Sequence, residues 1–317
     1  MGRTVSALVT MGEEFLGGVG PFAVSTPWWA DVGPVVARLR AALGVPVLVL
    51  RLLYVEGEDA RDGHVTYHVE ALERPVSGLA SAPRDHTVLT ADEELRSPWA
   101  RIDGLRELLR WASDTLAAAG RPVTGPVEQH RTWNLAGLFR LPTGRGPVWL
   151  KATPSFATDE AGAIAAFARV DPGLVPGVLA AGERRILLEH LPGEDCRDAS
   201  AEAVTSVMNR LVTAQATLAA RGRPPGLPDR RTPVITERVR GLLPRIDELS
   251  AAETAAAHEL VELWPALDDC GLPDTAVHGD FHPGNWRADG GPPVVLDFAD
   301  AHWGNPVLDG RRACEYL

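Results

Sequence analysis

From residue 278 the chain reads His-Gly-Asp-Phe-His-Pro-Gly-Asn, and an apolar run beginning at Val294 ends on Asp297. Three oxygen donors fall in order: the carboxylate of Asp280, the amide of Asn285 and the carboxylate of Asp297. Hard cations such as Mg²⁺ prefer such donors and commonly share them with phosphate oxygens. Phosphoryl transfer asks for the same order. It needs an Asp to accept a hydroxyl proton, an Asn for metal, and a further metal-binding Asp on the next strand. The stretch is read as a loop followed by a strand, and the rest of the chain must hold the two together.

A residue far upstream fits the same chemistry. Lys151 is the only lysine among 31 basic residues, so the chain uses arginine almost wherever a cation serves. Lysine is a compact point charge, whereas arginine is a broad planar fork. A site that must put one ammonium on a nucleotide phosphate resists the exchange, so Lys151 is read as functional. The formal net charge of −11 argues against a nucleic-acid partner and suits a cationic small substrate. With 45% hydrophobic residues in 317, a large packed core is available. Three widely spaced cysteines make no disulfide framework or metal motif, and a reducing, cytoplasmic compartment is expected. The Ala-, Arg- and Gly-heavy composition has a bacterial cast. No stretch approaches the ~20 apolar residues of a membrane span, so no membrane partner is expected.

Along the chain, residues 4 to 10 alternate as a strand, and Gly17, Gly18 and Gly20 read as a turn. A helix is expected from Trp28 to Leu43, stopped by Gly44, then strands over 45 to 54 and 64 to 72. This order resembles the second half of a Nudix hydrolase domain over residues 1 to 95. The run Ala37 to Gly44 contains no glutamate, so the likeness implies a degenerate α/β domain without its metal site. Residues 73 to 100 read as a linker and Arg101 to Ala119 as an amphipathic helix, making 96 to 121 linker and helix. A strand over 123 to 130 and a loop over Arg131 to Ala136 follow. A hairpin with arms 137 to 141 and 147 to 153 comes next, Lys151 lying on its second arm. Thr158 is expected to cap a helix led by Asp159 and Glu160. Those acids either favour the helix dipole or supply Glu160 as a partner for Lys151. Strands over 174 to 180 and 185 to 190 precede helices over 199 to 220, 236 to 249 and 251 to 267.

HGDFHPGN at 278 to 285, VVLDFAD at 294 to 300 and NPVLD at 305 to 309 resemble segments of the aminoglycoside phosphotransferase superfamily. They correspond to its catalytic loop, metal strand and the segment after it. RTWNLAGLFRL from Arg131 and GPVWLKATP from Gly146 resemble its nucleotide-covering loop and lysine strand. The likeness spans residues 122 to 317 and implies an α+β, bilobal protein-kinase-like fold. A β-rich N-lobe over 122 to 191 and a helical C-lobe over 192 to 317 would follow the N-terminal domain of 1 to 95. It also implies ATP and Mg²⁺. Asp280 would be base or positioning group, and Asn285 and Asp297 metal ligands. Lys151 would meet the phosphates, steadied by Glu160. Asn134 would lie in the covering loop, and the backbone of Glu189, His190 and Leu191 would meet adenine. The acceptor would be a hydroxyl of a sugar, amino sugar, amino alcohol or aminoglycoside-like antibiotic. Members of that superfamily continue with more helices after the metal Asp, where this chain has twenty residues. Either a truncated or shortened C-lobe, or one completed by self-association or by a second chain, is the expectation.

Other chemistries fit less well. Gly279 stands where an HExxH zinc motif has glutamate, and Pro283-Gly284 oppose a helix there. A glycosidase pair drawn from Asp280 and Asp297 leaves Asn285 and Lys151 without roles. No GxxxxGK[ST] precedes Lys151. The non-enzymatic alternative is a nucleotide-binding pseudokinase or regulatory module, favoured by Ala299 where glycine is usual after Asp-Phe.

Overall fold

A computed structural model describes residues 2–81, 87–91, 93–133 and 135–315. The chain divides into two units, residues 1–156 with 179–190, and residues 157–178 with 191–317.

The first unit opens with β1 (Arg3–Met11), β2 (Glu14–Val24), α1 (Gly33–Leu43), β3 (Val47–Glu56) and β4 (His64–Ala71). The sheet order is β2-β1-β4-β3; β1 runs parallel to β4, and the other pairs are antiparallel. Strand side chains alternate between faces. On one face Val5, Val9, Val65, Tyr67 and Val69 meet Val35, Leu39 and Leu43 of α1. The helix begins later than expected because Pro34 occupies its first turn, where a missing N–H costs nothing. The three glycines expected to turn lie inside β2. Backbone contact is the reason: Gly18 bridges Ala80, and a Cβ on Gly17 would come 2.7 Å from the Ala80 carbonyl oxygen.

The other face of this sheet is also covered. A four-residue α2 (Thr87–Thr90), a single turn over Pro98–Ala100 and α3 (Gly104–Ala118) follow β4. A second sheet of β5 (Glu128–Thr132), β6 (Gly137–Leu141), β7 (Val148–Ala152), β8 (Val178–Gly182) and β9 (Arg185–Glu189) has the order β5-β6-β7-β9-β8. Leu48 and Leu50 of β3 share one core with Trp99, with Leu105, Leu108 and Leu116 of α3, and with Phe139, Leu150 and Leu187 of the second sheet. The expected linker is therefore anchored at Trp99, whose burial joins the two sheets; residues 82–86 and 92 of it lie outside the described residues. Gln129 adds a two-point bond between β5 and β3, accepting from Val49 N at 2.9 Å and donating to Val49 O at 2.7 Å.

Polar groups on this inner face have a measurable cost. His68 is fully buried and its Nε2 meets Thr10 Oγ1 at 2.9 Å. Burial, with Arg51 and Arg96 nearby, lowers its pKa to about 3 from an ordinary 6.5. The folded chain holds this imidazole neutral, whereas the unfolded chain protonates it. The unfolded state thus binds more protons between these two values, and stability falls as pH drops through that window. Each pH unit costs up to about 1.4 kcal/mol. In urea unfolding at pH 7.5 and pH 5, the stability advantage of the natural chain over His68→Gln is expected to shrink by about 2 kcal/mol at the lower pH. An equal advantage at both values would remove His68 as a proton-linked site.

The second unit contains α4 (Glu160–Ala168), β10 (Glu194–Asp195), α5 (Ala201–Arg221), α6 (Thr232–Leu242) and α7 (Ala251–Leu263). It continues with β11 (Thr275–Val277), β12 (Trp286–Ala288), β13 (Val294–Val295), β14 (His302–Gly304) and α8 (Val307–Cys314). β11 pairs with β14, and β12 lies between β10 and β13. α5 buries Val204, Val207, Leu211, Ala214 and Leu218.

Residues 157–178, expected within the β-rich lobe, group with this helical unit. The reason is a set of ties to its loops. Thr158 donates from N to Ala299 O at 2.7 Å and from Oγ1 to Ala301 O at 2.5 Å. Phe167 packs on Phe298 with centroids 5.5 Å apart, and Val295 N donates to Leu174 O at 2.8 Å. The cap of α4 is accordingly Asp159, which accepts from Ala161 N at 3.2 Å, and not Thr158. Among the described residues, no helix is long and apolar enough to cross a membrane.

Candidate functional site

The loop from His278 to Asn285 is held at both ends by backbone. The backbone of Leu296, immediately before Asp297, is held from two sides. Its N–H donates to Asn285 O at 2.8 Å, and its carbonyl accepts from His278 Nε2 at 2.9 Å. The amide residue of the loop and the acid at the strand end are thereby kept adjacent. Since Asp280 N donates to His278 Nδ1 at 3.2 Å, that ring carries its proton on Nε2. His278 shapes the loop and is spent on backbone.

Asp280 is surrounded by donors. Its Oδ2 accepts from Asn285 Nδ2 at 2.9 Å and faces His282 Nε2 at 3.5 Å. His282 Nδ1 accepts from Gly284 N at 3.1 Å, which leaves the proton of that ring on the Asp280 side. Burial lowers the His282 pKa, against the pull of Asp280. Oδ1 of Asp280 accepts from Arg312 Nε on α8 at 3.3 Å. Asn285 Nδ2 also donates to Asp280 O at 2.9 Å. With its nitrogen used twice, the Asn285 amide has Oδ1 as its remaining polar atom.

Asp297 follows β13 with φ 66° and ψ 66°, the left-handed region that an Asp tolerates better than most residues. Its side chain is exposed. Among the described residues no group of three or more His, Cys, Asp or Glu gathers as a metal cage. The Asp297 carboxylate and the Asn285 amide oxygen, completed by phosphate oxygens, fit Mg²⁺, which needs only one or two protein carboxylates beside substrate.

Beneath the loop lies a residue to which the sequence assigned no role. Asp309 of α8 is fully buried and accepts from His278 N, Gly279 N and Gln215 Nε2, each at 2.8 Å. Burial raises its pKa, opposed by His278 and by these backbone donors. The run from Asn305 to Asp309 was its only signal. Gly279 itself has φ +91°, and a Cβ there would strike the Asp300 backbone, so the loop needs glycine at this point.

The remaining expected residues are distributed as follows. Lys151 is buried on β7, between Leu138 of β6 and Ile186 of β9. Glu160 is buried at the start of α4 in the second unit. Glu189 accepts from Arg121 Nη1 at 2.6 Å. His190 Nδ1 accepts from Trp149 Nε1 at 3.1 Å, and His130 meets the Trp149 ring edge-on at 4.8 Å. Leu191 O already accepts from Arg287 Nε at 2.8 Å, and the same guanidinium bonds Gly193 O. Asn134 lies outside the described residues. Arg287 and Arg312 carried no sequence signal, because their partners are distant in the chain.

Residues 138–316 match the family described as "Phosphotransferase enzyme family". Among solved structures the chain is similar to choline kinase LicA from Streptococcus pneumoniae, at 12% identity and a TM-score of 0.51, covering 65% of this chain and 73% of that one. It is also similar to a choline/ethanolamine kinase family protein from Mesorhizobium loti, at 18% identity and a TM-score of 0.48, covering 65% and 69%. A macrolide 2'-phosphotransferase, MphH, from Brachybacterium faecium gives 21% identity and a TM-score of 0.43, covering 64% and 75%. No curated protein matches. None of these findings supports a Nudix likeness for residues 1 to 95.

Proposed function

Because the chain belongs to the phosphotransferase enzyme family and has the protein-kinase-like fold of a β-rich and a helical unit, we propose that it moves the γ-phosphoryl of Mg·ATP to a hydroxyl of a small molecule. The observation that carries this reading is the Leu296 backbone, whose N–H and carbonyl bond Asn285 and His278. It ties the loop that carries Asp280 and Asn285 to the residue before Asp297, which supports this reading.

In the proposed reaction the acceptor oxygen forms a bond to the γ-phosphorus as the bond from that phosphorus to the β,γ-bridging oxygen breaks. The acceptor's proton passes to Asp280, and ADP leaves. Asn285 Oδ1 and the Asp297 carboxylate would hold Mg²⁺, which supplies neutralisation of phosphate charge. Lys151 is assigned the α- and β-phosphates. Adenine is assigned to the backbone of Glu189, His190 and Leu191, the Leu191 carbonyl also accepting from Arg287. Phosphoryl transfer is largely positioning and electrostatics, so a small set of groups suffices.

Incubation with Mg·ATP and a panel of hydroxylated acceptors, read by mass spectrometry, is expected to give a product 80 Da heavier than the acceptor, by the mass of one PO₃H unit, about that of a phosphoryl group in this chemistry. Nucleotide binding with no product and no ATP hydrolysis would favour a regulatory nucleotide-binding module.

A further inference from the structure

The two oxygens of Asp280 carry different numbers of donors. Oδ2 faces two donors, Asn285 Nδ2 at 2.9 Å and His282 Nε2 at 3.5 Å. Among the described residues Oδ1 takes Arg312 Nε alone, at 3.3 Å. A hydroxyl that is to lose its proton to Asp280 therefore arrives at Oδ1, with the Arg312 guanidinium as its neighbour. That side chain is half exposed, and its Nη1 is shared with Glu315 at 3.2 Å. Nη2 bonds no described residue.

Resting on the phosphotransferase reading above, we propose that Arg312 selects acceptors carrying an anionic group, a carboxylate or a phosphate, beside the hydroxyl that is phosphorylated. The planar fork of a guanidinium matches either group with paired N–H donors. Nη2 is the donor that such a group meets first, and Nη1 follows by exchanging Glu315 for the ligand. An ammonium in the same place would face a fixed cation and be repelled. Arg197 adds positive charge beside Gly284, where a Cβ would lie 3.4 Å from its Cζ, and Asp195 partners it at 3.6 Å.

This reverses the expectation from net charge. Charges farther off than about 8–10 Å are largely screened in physiological salt, so the total of −11 says little about the site. The contact at Oδ1 is what an acceptor meets.

The experiment compares matched acceptors with Mg·ATP: hydroxy acids and phosphorylated alcohols against their neutral and aminated counterparts. The kcat/KM for the best anionic acceptor is expected to exceed that of its neutral counterpart at least about tenfold, a difference in binding of ~1.4 kcal/mol. In Arg312→Gln that ratio collapses toward one, chiefly through KM, and Arg312→Lys restores part of it. Carboxylate and phosphate series run separately identify which anion is recognised. Preference for the aminated acceptors, or an anionic preference that survives Arg312→Gln, overturns the proposal. Slow Mg·ATP hydrolysis, with water as acceptor, checks the underlying reading separately. Hydrolysis that depends on Asp280 without any anionic preference overturns the role of Arg312 alone. Hydrolysis and transfer both absent overturn the two together.

Discussion

Replacing Asp280 with alanine is expected to lower kcat for phosphoryl transfer by about 10³-fold, with nucleotide affinity nearly unchanged. In the proposed reaction the proton acceptor is lost, while the proposed metal ligands Asn285 and Asp297 remain. Alanine has a second effect, because Asn285 Nδ2 loses one of its two acceptors and keeps only Asp280 O. Asp280→Asn is the cleaner change. It preserves volume, yet an amide is not a base, so a similar fall is expected. Steady-state kinetics together with titration of nucleotide binding separate the two effects. Activity within tenfold of the natural chain in both variants would sink the assignment of Asp280.

Asp309→Ala is expected to destabilise the second unit by about 3–5 kcal/mol, since each buried donor left without a partner costs about 1–3 kcal/mol. Three donors are involved: His278 N, Gly279 N and Gln215 Nε2. Asparagine is not expected to rescue the site. It would offer one good acceptor and turn an NH₂ group toward a backbone N–H. At temperatures where Asp309→Ala remains folded, kcat is expected to fall by about 10²-fold, because a loop displaced by ~1 Å misplaces its reacting groups. Denaturant unfolding and kinetics on the same samples test both parts. A stability loss below about 1 kcal/mol would show that water replaces the carboxylate at little cost.

The two predictions differ in how legible their residues were. Asp280 announced itself through local spacing, since H-x-D-x-x-x-x-N places proton acceptor and amide within one loop. Asp309 was visible only as part of a five-residue run, and its bonds to the loop span 30 and 31 residues of chain. Element types were mostly readable. β1, β3, β4, β6, β7 and α5 follow their hydrophobic patterns, because burial of one strand or helix face imposes a period. The misreadings have contacts as their cause. β2 carries its glycines in a strand because Ala80 approaches it. Thr158 looked like a cap and instead bonds Ala299 and Ala301. Trp99 sat in an apparent linker and is a core residue shared by two sheets.

What the sequence determined by itself was the set of donor atoms and their order between His278 and Asp297, because ligand chemistry belongs to side-chain type and short spacing. It likewise singled out Lys151 by composition alone. What the tertiary structure decided was the surroundings of those atoms. The Leu296 backbone ties the loop to the residue before Asp297. Arg312 reaches Asp280 from 32 residues away, and Thr158 reaches Ala301 from 143. Such contacts leave no periodic trace, since they depend on where separate elements pack, and they set what Asp280 can accept.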